Sequence, residues 1–124
     1  MAIYEKLIRQ FPENDAIKLE YVSSLLKTGK AEQAKHHLLT LSPKTRQLPV
    51  YYQNLAEVYG DLNYPGESHR YLAEYYYSIG ETKEAIMQIK LAQKSKDLNF
   101  QLTSILNERL AFFINEEMEA RKNE

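Results

Sequence analysis

The 124-residue sequence contains no cysteine and no tryptophan, and only four glycines and four prolines. Because cysteine is absent, disulfide frameworks, thiolate metal sites and cysteine nucleophiles are excluded. The longest uninterrupted apolar run, Leu110 to Ile114, is far too short to span a membrane. The charge is nearly balanced, with 16 Lys and Arg against 17 Asp and Glu. This balance argues against a nucleic-acid-binding module, which needs a basic face.

The sequence does contain a helical pattern of hydrophobic residues along its whole length. Hydrophobic residues make up 44% of the chain, which is typical of one folded domain of this size. No segment shows the sustained two-residue alternation of a strand. Capping and breaking residues set the helix boundaries. The predicted helices cover about residues 3–11, 15–28, 31–41, 49–62, 67–79, 82–96 and 99–119, with the sixth capped by Thr82.

Two segments share one spacing: a large residue, a leucine three positions on, a small residue next, and a tyrosine three positions later. The two sets are Tyr52, Leu55, Ala56 and Tyr59, and His69, Leu72, Ala73 and Tyr76. A weaker match begins at Lys18. The pattern resembles the first helix of the tetratricopeptide repeat (TPR), a pair of antiparallel helices of about 34 residues.

This resemblance implies an all-α fold in which antiparallel helix pairs stack as a TPR-like right-handed superhelix. We expect about seven helices, of which the last is a C-terminal capping helix. The small residues of the signature let two helix backbones approach, and the large residues fill the space beside them. Each helix is then buried by its neighbours in the stack rather than around one central core.

The spacing between the matches indicates that one helix is shared. From Lys18 to Tyr52 is 34 positions, one full repeat, but from Tyr52 to His69 is only 17. The helix predicted at 67–79 therefore serves both as the second helix of one pair and the first of the next. A helix packed on both sides should be apolar nearly all round. The alternative is that the run 75–77, three tyrosines, forms an exposed ligand platform.

The repeat pattern predicts a single TPR-like domain over residues 1–124. Within it we expect the second half of a truncated repeat at 1–12, a repeat at 15–48, one and a half repeats at 49–96, and the capping helix at 97–120. The first helix lacks the partner that would precede it in a repeat. We therefore expect this chain to be a piece of a longer protein.

Catalysis by these residues is not expected. The sequence has no HExxH motif, no glycine-rich phosphate loop and no nucleophile elbow. Glu32 and His36 are four positions apart and could share one ion, but two ligands are too few for a stable zinc site. The other histidines, His37 and His69, are explained by a solvated face and by packing. We predict no catalytic residue, no metal ligand and no cofactor in this chain.

Binding of a polypeptide segment is the function that the pattern favours. The first helices of TPR pairs line a concave groove, and the residues expected there combine apolar, amide and both kinds of charged side chain. The predicted groove residues are Leu19, Ser23, Leu26 and Lys27, then Gln53, Asn54, Glu57 and Asp61, then Arg70, Glu74 and Tyr77. The alternative for each is an ordinary solvated surface residue.

A more specific resemblance covers about half of the chain, from Tyr51 to Leu110. It rests on the run from His69 to Tyr76 (His-Arg-Tyr-Leu-Ala-Glu-Tyr-Tyr), with Asn54-Leu55-Ala56 before it and Glu84-Ala85-Ile86 after it. This segment resembles the C-terminal end of periplasmic zinc metallopeptidases of the β-barrel assembly-enhancing protease type. In that family the HExxH domain lies N-terminal to the repeats, so zinc and catalysis would belong to the parent protein.

That resemblance implies a periplasmic interaction module whose partners are outer-membrane β-barrel proteins, their assembly machinery and the parent's own protease domain. Two other readings stay open. One is a cytosolic TPR adaptor or co-chaperone scaffold from an unrelated parent. The other is a scaffold that self-associates through the exposed face of its first helix.

Overall fold

A computed structural model describes residues 2–123, and this part of the chain is helical without any strand. It contains seven α-helices: α1 (Ala2–Gln10), α2 (Asp15–Lys27), α3 (Ala31–Leu39), α4 (Pro49–Asp61), α5 (Pro65–Ser78), α6 (Thr82–Ala92) and α7 (Phe100–Lys122). A short 3-10 helix, Thr45–Gln47, lies between α3 and α4. None of the described helices is both long enough and apolar enough to cross a membrane. The all-α prediction is confirmed.

Several helix ends follow directly from the local sequence. The side chain of Asn14 accepts a hydrogen bond from the backbone N–H of Ile17 and caps α2, and Asn99 caps α7 in the same way. Gly29 and Gly80 follow the ends of α2 and α5 with φ values of 75° and 85°. Glycine adopts this left-handed conformation without the steric cost that a side chain would add.

Other predicted boundaries are wrong by a few residues. Thr82 does not cap α6, because Glu81 occupies the cap position and makes no side-chain capping bond. The helix α5 begins at Pro65 rather than at residue 67, since proline is well suited to the first helical position. The helix α3 ends at Leu39 rather than at 41. There the Thr40 hydroxyl donates to the backbone carbonyl of His37 over 2.8 Å.

The buried residues form two clusters rather than one central core. The first joins α2, α3 and α4, and the second joins α5, α6 and α7. The larger fully buried side chains are Tyr21, Val22, Leu25, Leu38, Leu55 and Val58 in the first cluster and Ile89, Leu102, Leu106 and Phe113 in the second. Alanines lie where backbones approach, with Ala34, Ala73 and Ala85 fully buried. Two successive cores are typical of a stack of helix pairs.

The helix α5 is packed from several sides. It contacts α4, α6 and α7, and every residue from Pro65 to Tyr77 is buried or half-buried. This is the surrounding expected for a helix shared between two pairs. The three tyrosines at 75–77 are all half-buried, so they do not form an exposed platform. The ring of Tyr77 packs against Phe113, with 5.1 Å between ring centroids.

Two aspartates fasten the loops to the helices. The Asp15 carboxylate accepts hydrogen bonds from the hydroxyls of Ser42 and Thr45, over 2.6 and 2.5 Å, and so holds the loop before α4. The Asp97 carboxylate accepts from the backbone N–H groups of Gly66 and Glu67, over 2.7 and 3.2 Å. Asp97 thereby caps α5 from a loop about thirty residues away.

Candidate functional site

Two clefts on opposite sides of α5 are lined by five of the predicted groove residues of α4 and α5, which are Gln53, Asn54, Glu57, Arg70 and Glu74. The first, which we call the α4–α5 cleft, has a volume of about 390 Å³ and is lined by Gln53, Asn54, Ala56, Glu57, Ser68 and Leu72. The second, the α5–α7 cleft, has a volume of about 350 Å³ and is lined by Tyr52, Arg70, Tyr71, Glu74, Ile105 and Arg109. The structure therefore does not place all of these residues on one surface.

The division follows from helix geometry. Successive residues of an α-helix are rotated by about 100°, so residues two positions apart point roughly in opposite directions. On α5, Ser68 and Arg70 are two positions apart, as are Leu72 and Glu74. On α4, Tyr52 faces the second cleft, whereas Gln53, Asn54 and Glu57 face the first.

The α4–α5 cleft offers amide and carboxylate groups. Gln53 and Glu57 are exposed, and Asn54 is half-buried. The Ser68 hydroxyl is already used, because it donates to the backbone carbonyl of Ala56 over 2.7 Å. The helix α4 carries no lysine or arginine. These groups can accept hydrogen bonds from the backbone or from basic side chains of an extended polypeptide.

In the α5–α7 cleft, Arg109 is held rigidly. Its Nε and Nη2 donate to the two carboxylate oxygens of Glu74 over 2.8 and 2.9 Å. Its guanidinium also stacks on Phe112 and Phe113, at 4.6 and 4.8 Å from the ring centroids. Two parallel charged hydrogen bonds and two aromatic contacts fix both the position and the orientation of the guanidinium.

A second guanidinium in the same cleft is held in a similar way. Arg70 Nη1 donates to Glu67 over 3.0 Å, and its guanidinium lies 4.6 Å from the centroid of the Tyr71 ring. Burial raises the pKa of Tyr71 to about 12, so its hydroxyl stays neutral. Burial, followed by the nearby Glu74 charge, also raises the pKa of Tyr52. The cleft thus presents two fixed guanidinium groups, each paired with a carboxylate, among neutral aromatic side chains.

The predicted groove residue Tyr77 lies next to this cleft and contacts α7. Its hydroxyl donates to the Glu116 carboxylate over 2.5 Å. This hydrogen bond, together with burial, raises the pKa of Tyr77. Tyr77 and Glu74 are therefore both bonded to the last helix.

The predicted groove residues on α2 line neither cleft. Leu19 is half-buried and packs against the first core cluster, and Leu26 is a buried member of that cluster. Ser23 and Lys27 are exposed. Their part in a continuous groove stays a prediction.

The pair Glu32 and His36 lies in a third cleft, between α1, α2 and α3. In the part of the chain that the structure describes, no three His, Cys, Asp or Glu side chains are grouped so that they could hold a metal ion. The cleft also contains His37, whose ring packs on Tyr21 at 4.9 Å between centroids. Burial and the adjacent His36 lower the pKa of His37.

Sequence reasoning missed Arg109, the central cation of the α5–α7 cleft. The signal available in the sequence was weak: an arginine followed by Phe112 and Phe113 one helical turn later. The repeat signature assigns Tyr52 to packing, and the structure shows that Tyr52 also lines this cleft, together with Tyr71. Glu74 is covered by α7 through its contact with Arg109, 35 positions away. Local spacing in the sequence does not reveal a contact over that distance.

Comparison with known proteins supports the fold. A family model described as tetratricopeptide repeat matches residues 1–59, a little under half of the chain and including α1, α2, α3 and most of α4. No curated protein and no solved structure gives a significant match. With the seven described helices, the match shows a TPR-like helical-repeat fold. It does not bear on the metallopeptidase resemblance, which is carried by residues 51–110.

Proposed function

We propose that this TPR-like domain is a protein–protein interaction module that binds polypeptide segments in the two clefts flanking α5. The observation that carries the proposal is the α5–α7 cleft. Its two guanidinium groups, Arg70 and Arg109, are fixed on aromatic rings beside the apolar side chain of Ile105. A site with fixed polar groups and apolar walls suits a peptide that carries both kinds of side chain.

The two clefts differ in the segments that they favour. Each arginine of the α5–α7 cleft is already paired with a carboxylate, Arg109 with Glu74 and Arg70 with Glu67, so the cleft offers their remaining guanidinium N–H groups. These donors favour carbonyl and carboxylate oxygens on the bound segment. The α4–α5 cleft presents Gln53, Asn54 and Glu57, which favour backbone amides and basic side chains. A segment with separate acidic and basic stretches would use both surfaces.

We further propose that the chain is the non-catalytic C-terminal repeat domain of a cell-envelope zinc metallopeptidase. The support is the resemblance of residues 51–110 to the β-barrel assembly-enhancing protease type, above all the run from His69 to Tyr76. The partners would be outer-membrane β-barrel proteins and their assembly machinery, together with the parent's protease domain. The domain would then work in the periplasm, and zinc would be held by the parent's catalytic domain.

A cytosolic TPR adaptor or co-chaperone scaffold is the alternative, and the family match to residues 1–59 fits it equally well. The reading frame that precedes this segment in the gene separates the two. An HExxH motif and a secretory signal there support the metallopeptidase. If the complete gene encodes neither, the metallopeptidase assignment is wrong and the adaptor is the remaining candidate.

Site-specific photo-crosslinking in the intact parent tests the binding surfaces. The crosslinker is placed at Gln53, Arg70 or Tyr77, and as a control at Leu39, an exposed residue of α3. We expect polypeptide adducts from Gln53 and Arg70 and few from Leu39. Adducts from Leu39 alone would show that the clefts are not the binding surface.

A further inference from the structure

The side of α7 that faces away from the core carries a stripe without any charged residue. Its members follow one another at alternating spacings of four and three positions, as do the a and d positions of a coiled-coil heptad. All of them are exposed. They are Phe100, Ser104, Asn107, Ala111, Ile114 and Met118, and we call them the α7 outer stripe.

The stripe lies roughly opposite the buried side of α7, since successive residues of a helix are rotated by about 100°. The buried residues are Leu102, Leu106 and Phe113. The exposed fractions in the stripe are 89% for Phe100, 40% for Ile114 and 54% for Met118. A helix that only ends a repeat stack is expected to turn a polar side to solvent. Large apolar side chains separated by small ones are instead typical of a contact with another helix.

The helix α6 lies along one flank of this stripe and is antiparallel to α7. Near one end, Lys83 Nζ lies 3.9 Å from the Glu117 carboxylate. Near the other, the Gln93 amide donates to the Asn107 side-chain oxygen over 3.1 Å. The two contacts have the same register, because ten positions forward from Lys83 match ten positions back from Glu117. Every residue between Lys83 and Gln93 therefore has a defined level on α7.

The two flanks of the stripe carry opposite charges. On the α6 flank, Lys90 and Lys94 follow Lys83 by seven and eleven positions and so share its side of the helix. On the other flank are Glu108 and Glu119, which helix rotation turns away from α6. The register places Lys90 and Lys94 level with residues 110 and 106 of α7, on either side of the level of Glu108. Within residues 2–123, none of these last three side chains forms an ion pair.

We propose that two copies of this chain form a parallel dimer through the α7 outer stripe. A two-fold axis parallel to α7 places each lysine flank against the glutamate flank of the other copy and keeps equal levels side by side. Lys90 and Lys94 then face Glu108 of the second copy, and Lys83 faces its Glu119. An antiparallel pair would instead place like charges together. The stripe itself brings no charge into the contact, so no charge is desolvated at its centre.

The size of the contact indicates a weak dimer. From Phe100 to Met118 the stripe is about 27 Å long, because an α-helix rises about 1.5 Å per residue. One pair of helices of that length lies at the small end of specific interfaces, so association should depend on concentration. None of the stripe residues lines the two clefts beside α5. The dimer is therefore independent of the proposed peptide binding.

Sedimentation equilibrium of the full chain over a range of concentrations tests the dimer. We expect the mean mass to rise from that of one chain towards that of two. Ile114→Glu should weaken association at least about tenfold, because it places two like charges in the apolar stripe. Leu39→Glu, at an exposed apolar residue of α3, is the matched control and should leave association unchanged. Circular dichroism checks that both variants are folded. A monomer at every concentration, or a dimer that survives Ile114→Glu, would overturn the proposal.

Disulfide crosslinking tests the orientation, and the chain has no native cysteine that could interfere. In the parallel dimer the two copies of Ser104 lie level, whereas in an antiparallel dimer centred on the stripe they are about 15 Å apart. Ser104→Cys should therefore give linked dimers on mild oxidation, and the control Leu39→Cys should not. A dimer in which Ser104→Cys fails to crosslink would overturn the parallel arrangement.

Charge exchange tests whether the flanks meet. Lys90→Glu with Lys94→Glu, or Glu108→Lys alone, should weaken the dimer about three- to tenfold, since like charges then face each other. Combining all three substitutions exchanges the signs on both flanks and should restore the association. A triple variant as weak as the others would overturn the proposed pairing of the flanks.

Discussion

The guanidinium of Arg109 on α7 forms two parallel hydrogen bonds to the carboxylate of Glu74 on α5, over 2.8 and 2.9 Å. These residues are 35 positions apart, and their pairing fastens the last helix to the helix shared by two pairs. The same contact forms one wall of the α5–α7 cleft. One interaction therefore contributes both to the stability of the stack and to the shape of a proposed binding surface.

Replacing Arg109 should destabilise the fold measurably. Arg109→Lys keeps the charge but loses the two-pronged bond and the stacking on the phenylalanines, so we expect a loss of about 1–3 kcal/mol. The measurement is urea unfolding followed by circular dichroism. Glu119→Gln is the control, because its ion pair with Lys122 is exposed and should contribute less than about 0.5 kcal/mol. Equal effects of the two variants would contradict this account of the pair.

Gly66 should tolerate no side chain. A Cβ there would lie 2.3 Å from Ser95 Oγ and 2.7 Å from the Asp97 carboxylate, which caps α5. We expect Gly66→Ala to cost about 1–3 kcal/mol, despite the better helix propensity of alanine. In Gly60→Ala the nearest atom to the new Cβ is Ser68 Oγ at an ordinary 3.5 Å.

The Gly60→Ala variant is the control, and the substitution should stabilise α4 by about 0.5–1 kcal/mol. Thermal unfolding of the two variants beside the parent chain gives the comparison. A Gly66→Ala variant as stable as the Gly60→Ala variant would contradict the close approach of Gly66 to Ser95 and Asp97.

The chain should lose stability in acid partly through Asp97. Burial acts to raise the pKa of Asp97, but the hydrogen bonds from the Gly66 and Glu67 N–H groups outweigh it and lower the pKa below its ordinary value of 3.8. The unfolded state then binds a proton at higher pH than the folded state does. The stabilisation is full above about pH 4 to 5 and is lost as the pH falls through the lower folded pKa.

Asp97→Asn removes this pH dependence. The urea midpoint of the variant should fall less between pH 6 and pH 3 than that of the parent chain. Asp61→Asn, at an exposed position, is the control. If Asp97→Asn and the parent chain lose the same stability over this range, the capping role of the charge is refuted.

The contact of α5 with α6 should be intolerant of larger side chains. Ala73 is fully buried on α5 in the second core cluster. Ala73→Leu should cost about 1–3 kcal/mol, because a well-packed core has no room for the extra methyl groups. Ala16→Leu, on the exposed side of α2, should change stability by less than about 0.5 kcal/mol. Urea unfolding of both variants provides the test.

The sequence predicted the helices well because the signals for them are local. Asn14 and Asn99 cap helices through bonds three positions away, and Gly29 and Gly80 end helices through their own backbone conformation. The 17-residue spacing likewise predicted that α5 has neighbours on several sides. These features depend on short-range chemistry and on periodicity, both of which can be read without coordinates.

The arrangement of the candidate site could not be predicted in the same way. The spacing placed Gln53 and Arg70 in one groove, whereas the structure places them in separate clefts. Helix geometry separates the Ser68 and Arg70 sides of α5, and the side that α7 covers is decided by Arg109, a contact over long sequence distance. The capping helix was expected from residue 97, but Asp97 lies before α7 and caps the distant α5 instead.

The central claim is that the two clefts beside α5 hold polypeptide segments. Its most direct test is a titration of the ¹⁵N-labelled chain with the partner segment recovered by crosslinking, followed by NMR. The account predicts chemical-shift changes at Gln53 and Glu57, at Arg70 and Glu74, or at both pairs, with little change on α3. Saturable binding whose shifts are confined to α1 and α3 would contradict it.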